Sequence, residues 1–393
     1  MNKLNEIIKK LCPDGVEYRE LGKTVSIERG KRLVRGQLSE QGKYPVFQNS
    51  MTPLGYHTEN NYPANTTFII GAGAAGGIGF SAVDFWAADD CYPMVCGEDI
   101  CARYLYHVLL RMQPQIKSRV RKASIPRLSR NAIEKLKVPV PPLEVQREIV
   151  RILDSFTLLT AELTAELRAR KRQYEFYRDK LLVYNRNIKQ LPLGELCDLQ
   201  AGKMISTSLI SDKKTEEFSI PCYGANGLRG YVSVGNQEGP KSIIGRQGAL
   251  CGNVCYVTGR YYATEHAVVV TDKGNFNSRY LFHVLVHADL NQYKTAGAQP
   301  GLSVKKLNEV KIPVPDMDIQ NRIANVLDNF EVICNDLNIG LPAEIEAREK
   351  QYEYYRDLLL TFAETGSMLM TDRQTDRQTD RQTDRQTDRT ECD

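Results

Sequence analysis

Residues 141–184 read PPLEVQREIVRILDSFTLLTAELTAELRARKRQYEFYRDKLLVY, and the pattern returns at 315–362 as PDMDIQNRIANVLDNFEVICNDLNIGLPAEIEAREKQYEYYRDLLLTF. In the first copy Ile149, Leu153, Phe156, Leu159, Leu163 and Leu167, then Tyr174, Tyr177, Leu181 and Tyr184, form one apolar stripe at helical spacing. Pro141 and Pro142 suit a first helical turn, where proline loses no hydrogen bond, and Glu144 lies where the helix dipole favours an acid. A helix of about 43 residues would be roughly 65 Å long. Its stripe needs a partner, and the second copy offers a matching one.

The segments that precede the two helices repeat as well. Leu21-Gly22 corresponds to Leu193-Gly194, Gly30-Lys31 to Gly202-Lys203 and Gly55-Tyr56 to Gly230-Tyr231. Ile69-Ile70-Gly71 matches Ile243-Ile244-Gly245, and the helix-like stretch beginning at Tyr104 matches the one beginning at Tyr280. Strand-like runs bounded by Gly, Pro and Asn fill the rest of each segment. The expectation is a tandem duplication of mixed α/β (α+β) class. Its parts are a first domain at 1–140, a helix at 141–185, a second domain at 186–312, a helix at 313–364 and a tail at 365–393. Two similar helices that bury similar stripes against each other imply an antiparallel coiled coil with a pseudo-two-fold axis. That arrangement puts one globular head at each end of a rod, suited to reading two half-sites on DNA. Framework positions agree between the heads while intervening residues diverge, as in Leu33-Val34-Arg35-Gly36 against Ile205-Ser206-Thr207-Ser208.

Length and composition agree with this. The 393 residues, 42% hydrophobic and 25% charged, suffice for two or three domains with their own cores. No apolar run approaches a membrane span, and MNKLNEIIKKLCPDG lacks the apolar centre of a signal peptide, so a cytoplasmic protein without membrane contact is expected. Ten scattered cysteines suit reduced thiols better than a disulfide framework.

The paired motifs VPVPPLEVQREIVRILDSF with RKRQYEFYRDKLL, and IPVPDMDIQNRIANVLDNF with REKQYEYYRDLLL, together with the opening LCPDGVEYRELG, resemble the specificity subunit of type I restriction-modification systems over residues 10–364. The resemblance implies two target-recognition domains, each reading one half of a bipartite sequence in double-stranded DNA. It also implies helices that space the domains and dock two modification (methyltransferase) subunits, with restriction subunits joining that complex. It implies no chemistry in this chain: S-adenosylmethionine, ATP and magnesium belong on the partner subunits. The alternatives are a coiled-coil scaffold or inactive phase variant that no longer reads DNA, and a stand-alone DNA-binding regulator.

Candidate contact residues follow from charge. Residues 116–137 hold eight basic side chains against one acidic, Arg119, Arg121, Lys122, Arg127 and Arg130 among them. Such a cluster supplies salt-dependent phosphate contacts that position a domain before bases are read. The matching stretch of the second domain is weaker and offers Lys294, Lys305 and Lys306. Lys31, Arg32, Arg35, Lys203, Arg229 and Arg246 are loop candidates for phosphate or guanine. On the helices, Arg172, Tyr174, Tyr177 and Arg178, with Tyr352, Tyr355 and Arg356, combine the two residue types enriched at protein interfaces.

Thr160–Leu167 reads TAEL twice, and one more unit would lengthen a helix by about 6 Å and turn its end by roughly 40° beyond a full turn. One base pair advances about 3.4 Å and twists roughly 35°. The number of units is therefore expected to set half-site spacing in steps of about one base pair.

Other signals are weaker. Gly71, Gly73 and Gly76 make a G-x-G-x-x-G, but a strand-like run follows where a dinucleotide site needs a helix. Cys251, Cys255, His283 and His287 could be combined into a zinc site only by ignoring that the first domain lacks the pattern. No phosphate loop, amino-methyltransferase motif or nuclease carboxylate cluster is present. From Thr371 the chain repeats TDRQ four times, a polar tail that cannot bury a core. The tetranucleotide ACAG in tandem encodes that cycle in every frame, which makes the tail a candidate site of phase variation.

Overall fold

The computed structural model describes residues 2–183, 188–295 and 300–365. The TDRQ tail lies outside them, as does Tyr184. The chain divides into two compact units: one comprises residues up to Ala161 and those from Glu346 onward, the other Glu162–Ile345. Each globular domain thus takes with it part of both helical segments.

The first unit begins with helix α1 (Asn2–Leu11), which buries Leu4 and Ile8. Strands β1 (Val25–Ile27), β2 (Tyr44–Phe47), β3 (Gly55–His57), β4 (Thr66–Ile70), β5 (Ile78–Ser81), β6 (Trp86–Ala87) and β7 (Cys91–Cys96) follow, then helices α2 (Ala102–Arg111) and α3 (Leu143–Leu182). The main sheet runs β1-β7-β4-β5, antiparallel throughout. A second sheet runs β3-β2-β6, with β2 and β6 parallel. Alternation along β4 separates two cores: Ile69 faces the one shared with α2 and α3, and Phe68 and Ile70 face Phe85, Tyr62 and Ala87. The main core also takes Ile149 and Leu153 of α3 and Leu359 and Leu360 of the C-terminal helix.

The second unit repeats this plan. Strands β8 (Cys197–Ala201), β9 (Ile220–Gly224), β10 (Gly227–Val232), β11 (Gln237–Glu238), β12 (Lys241–Gly245), β13 (Val254–Val257), β14 (Arg260–Ala263) and β15 (Ala267–Asp272) precede helix α4 (Ser278–His287) and helix α5 (Met317–Asn335). Its sheets run β8-β15-β12-β13 and β10-β9-β14-β11. Here Ile244 faces the main core and Ile243 the smaller one. Ile69 is therefore the partner of Ile244, and Ile70 that of Gly245. The pairing by identity, Ile69-Ile70-Gly71 with Ile243-Ile244-Gly245, is out of register by one residue, because side-chain direction and not likeness sets the match.

Hydrogen bonds confirm the equivalence elsewhere. Asn61 Nδ2 donates to the Ala87 carbonyl (2.9 Å) while its Oδ1 accepts from the Ala87 amide (2.7 Å); Asn236 does the same with Ala263 (2.9 and 2.8 Å). A Cβ on Gly30 would stand 2.2 Å from the Ala88 carbonyl oxygen, and one on Gly202 2.1 Å from that of Ala263, so both positions require glycine.

The helical segments differ more than the repeat implies. Helix α3 is continuous for 40 residues and begins at Leu143. Pro142 lies just before it, its carbonyl accepting from Val145 and Gln146. The C-terminal segment, expected as one helix, is interrupted between α5 and helix α6 (Leu341–Thr365). Asp336 Oδ1 accepts from the amides of Asn338 (2.7 Å) and Ile339 (3.1 Å), a local alternative to helical pairing. Pro342 would clash with the Asn338 carbonyl if the helix ran on.

Candidate nucleic-acid interface

In the first domain the basic stretch divides by amphipathicity. Ile116, Leu128, Ile133 and Leu136 are buried, which leaves the intervening cations outside. Residues 121–127 fold as a hairpin in which the Arg121 amide donates to the Arg127 carbonyl (2.8 Å) and the Arg127 amide returns to Arg121 (3.2 Å). This hairpin lies on the glycine turn between β4 and β5: Gly73 N–H donates to the Pro126 carbonyl (3.2 Å) and Leu128 N–H to that of Gly71 (2.8 Å). The G-x-G-x-x-G is a turn with Gly73 and Gly76 at φ 77° and 81°, and strand β5 follows it.

Two further loops meet this one. Gly71 N–H donates to the Asp90 carbonyl (2.7 Å) in the turn between β6 and β7, and Lys31 N–H donates to that of Ala87 (2.9 Å). Lys31, Arg121 and Arg127, with the neighbouring Arg32 and Lys122, therefore sit exposed on loops that converge at one end of the sheets. Arg119 and Arg130 have other partners, the Ala132 carbonyl (2.9 Å) and Glu134 (2.7 Å), and Arg35 lies in an exposed 3-10 turn.

The second domain builds the same end with different side chains. Gly248 N–H donates to Pro300 (2.9 Å), Leu302 N–H to Arg246 (2.8 Å), Thr295 N–H to Gly301 (2.9 Å) and Arg246 N–H to His266 (2.9 Å). These bonds place Arg246 where the first domain has Gly71. Two cavities open here, of about 440 Å³ beside Arg246 and Gln247 and about 580 Å³ beside Met204 and Arg229; Glu265 and His266 line both. Lys203 lies exposed on the equivalent of the Lys31 loop, its amide donating to Ala263 (2.9 Å). Lys294 and Lys306 are tied by their ammonium groups to Asn291 (2.8 Å) and the Tyr293 carbonyl (3.2 Å), and Lys305 is exposed.

Each domain is fixed to a helix by the same side chains, none of which the sequence singled out for this role. Gln146 is fully buried in the first turns of α3: its Oε1 accepts from Cys101 N–H (2.8 Å), and its Nε2 donates to the Asp99 and Pro141 carbonyls (2.8 and 2.7 Å). Gln320 of α5 repeats this with Asn277, Asn275 and Pro315. Asp154 of α3 takes Arg103 (2.8 Å) and His107 (2.9 Å) of α2; Asp328 of α5 takes Arg279 (2.8 Å) and His283 (2.7 Å) of α4. Burial pushes both histidines below the usual imidazole value. Burial would raise the two aspartates, but the hydrogen bonds from these partners outweigh it and hold both low. Asp328, Glu331 and His283 lie close enough to hold a cation, yet Arg279 already bridges the two carboxylates. His287 turns to Asp179 (3.3 Å).

The helix residues with interface chemistry divide into inner and outer groups. In the first unit Tyr352 hydroxyl bonds His107 Nδ1 (2.9 Å) and Tyr355 stacks on Phe156 with centroids 5.1 Å apart. In the second, Tyr177 stacks on Phe330 (5.7 Å) and Tyr174 lies 6.4 Å from the same ring. Arg178 and Arg356 pair with the adjacent Asp179 and Asp357 and lie over Tyr174 and Tyr352. Arg172 remains exposed, as do Phe176 (60%) and Tyr354 (45%), two rings that alternate with the packed ones.

A family model described as type I restriction modification DNA specificity domain matches residues 13–170 and again 185–347. The chain is 45% identical over 206 residues to the type I restriction enzyme EcoprrI specificity subunit of Escherichia coli, a match covering 51% of each protein. The chain thus spans about half the length of that relative. Its fold resembles the crystal structure of a type I restriction-modification S subunit from M. genitalium (TM-score 0.64, 18% identity, covering 91% of this chain and 97% of that one).

Proposed function

Because the chain belongs to the family of type I restriction-modification DNA specificity domains, we propose that it is the subunit that tells such a complex where to act, each domain reading one half of a bipartite site in double-stranded DNA. The observation that carries this reading is one loop assembly built twice on a shared framework, with Arg121 and Arg127 dominating the first and Arg246, Arg229 and Lys203 the second. A duplicated scaffold needs no such divergence to fold; two different half-sites require it. Phosphate contacts from the cations position each domain, and the inner loop residues read bases.

The helices set the distance between half-sites, and their outward Arg172, Phe176 and Tyr354 take two methyltransferase subunits. Pairings of α3 first with Tyr355 and then with Phe330 suit helices that run antiparallel. Restriction subunits join through that complex. The chain itself performs no chemistry: S-adenosylmethionine, ATP and magnesium act on the partners, and the whole complex works in the cytoplasm.

Co-expression with the modification subunits of the same locus, followed by genome-wide mapping of methylated adenines, tests the reading. A bipartite motif with a fixed gap is expected. An assembled complex that methylates nothing, or only a continuous site, contradicts it.

A further inference from the structure

The turns that close β6 onto β7 and β14 onto β15 are equivalent. In each the fourth amide donates to the first carbonyl at 3.0 Å, from Cys91 to Ala88 and from Ala267 to Thr264. The second residue is an acid both times, Asp89 in one domain and Glu265 in the other. Each carboxylate has one oxygen shut off from solvent and without a hydrogen-bond partner: Oδ1 of Asp89 and Oε2 of Glu265. The other oxygen of Glu265 is 3.0 Å from His266 Nε2. Both acids stand among the loops that carry the candidate cations, and Glu265 lines the cavity beside Arg246 and the one beside Arg229.

An acid in that place works against the phosphate attraction that its neighbours supply. The unpartnered oxygen of each acid is the inner one, so the outer oxygen, with lone pairs to spare, is the one that a donor arriving with a ligand meets. The only donors that DNA base edges present in the major groove are the amino groups of cytosine (N4) and adenine (N6). We propose that Glu265 and Asp89 each accept a hydrogen bond from a base amino group, one in each half-site. In the second domain Arg246 beside Glu265 supplies the complementary donor set, which favours a guanine–cytosine pair. The first domain has Gly71 at that place, and the arginine beside its acid is Arg29, whose Nε donates to the Asp89 carbonyl (2.9 Å).

This inference rests on the proposed function and fails separately from it. Assembled complexes carrying wild-type, Glu265→Ala or Glu265→Gln chains are offered DNA with the first half-site fixed and the second randomised, and the bound fraction is sequenced. If the wild-type complex selects no sequence, the proposed function fails. If it does, Glu265→Ala is expected to reduce one base preference in the second half-site by about 5- to 100-fold. Every position of the first half-site stays unchanged. Glu265→Gln, which keeps an acceptor and adds a donor, shifts a cytosine preference towards adenine or retains an adenine one. An unchanged motif, an equal loss at all positions, or failure of both variants to assemble overturns the inference. Asp89→Ala is the mirror experiment, with its effect confined to the first half-site.

Discussion

The two domains agree in what holds them together and differ in what they present. Gln146 and Gln320, Asp154 and Asp328, Asn61 and Asn236 make the same bonds to equivalent partners. A few residues away, Gly71 faces Arg246 across the comparison, Ala72 faces Gln247, and Asp89 faces Glu265. Bonds to backbone fix loop positions whatever side chain the loop carries, so the side chains on these loops are free to change without disturbing the frame. The difference between the domains is concentrated where a ligand would meet them.

The largest expected effect strikes the shared frame. Leu153 and Leu327 are fully buried at matching places on α3 and α5. Alanine at either should cost about 2–5 kcal/mol. Hydrogen exchange followed by mass spectrometry on the full chain should show faster exchange within the unit that carries the change. Equal acceleration in both units would mean that the frames are not separate.

Next comes the asymmetry of charge. Arg121→Ala with Arg127→Ala should flatten the salt dependence of DNA binding by roughly one unit of logarithmic slope per contact, across sequences. Lys305→Ala with Lys306→Ala should change it less, since Lys306 already holds the Tyr293 carbonyl. A reversed order would place the DNA elsewhere on the domains.

A smaller contrast concerns the anchors. His107 has Tyr352 on its second nitrogen, whereas His283 Nδ1 is buried without a hydrogen-bond partner among the described residues. Tyr352→Phe should therefore destabilise the first unit by about 1–3 kcal/mol, and Tyr174→Phe, its counterpart, should be close to neutral in thermal unfolding.

Smallest is the response to acid. Both histidines are held below their ordinary value of 6.5, so the unfolded chain takes up protons first as pH falls. Stability should be level above about pH 6.5 and decline below it. A second loss is due below about pH 3.8, where the depressed aspartates protonate. His107→Gln should remove part of the first loss in melting-temperature profiles and leave the second.

Much of the frame was legible in the sequence because periodicity is local. The stripe from Ile149 through Leu153 and the helix-like stretch beginning at Tyr104 needed no knowledge of distant partners. The break after Asn335 was written in Asp336 and Pro342, but likeness to the continuous first copy concealed it. The sites were less legible. Arg121 and Arg127 stood out by charge density, whereas Glu265 became conspicuous only when folding brought its turn beside Arg246. Tyr352 was conspicuous as interface chemistry, and the fold gives it to His107. Nothing in composition distinguishes a tyrosine that faces inward from one that faces a partner.

The central claim is that the domains are interchangeable frames with separately readable ends. Their edges match: Val140 N–H donates to the Glu17 carbonyl (2.9 Å) and Val314 N–H to that of Lys189 (3.0 Å). Replacing Lys189–Val314 by a second copy of Glu17–Val140, co-expressing the product with the modification subunits and mapping methylated adenines tests it directly. The expected motif is symmetric, with the first half-site present twice in inverted orientation. An assembled complex that still selects the second half-site, or selects none, would contradict the account.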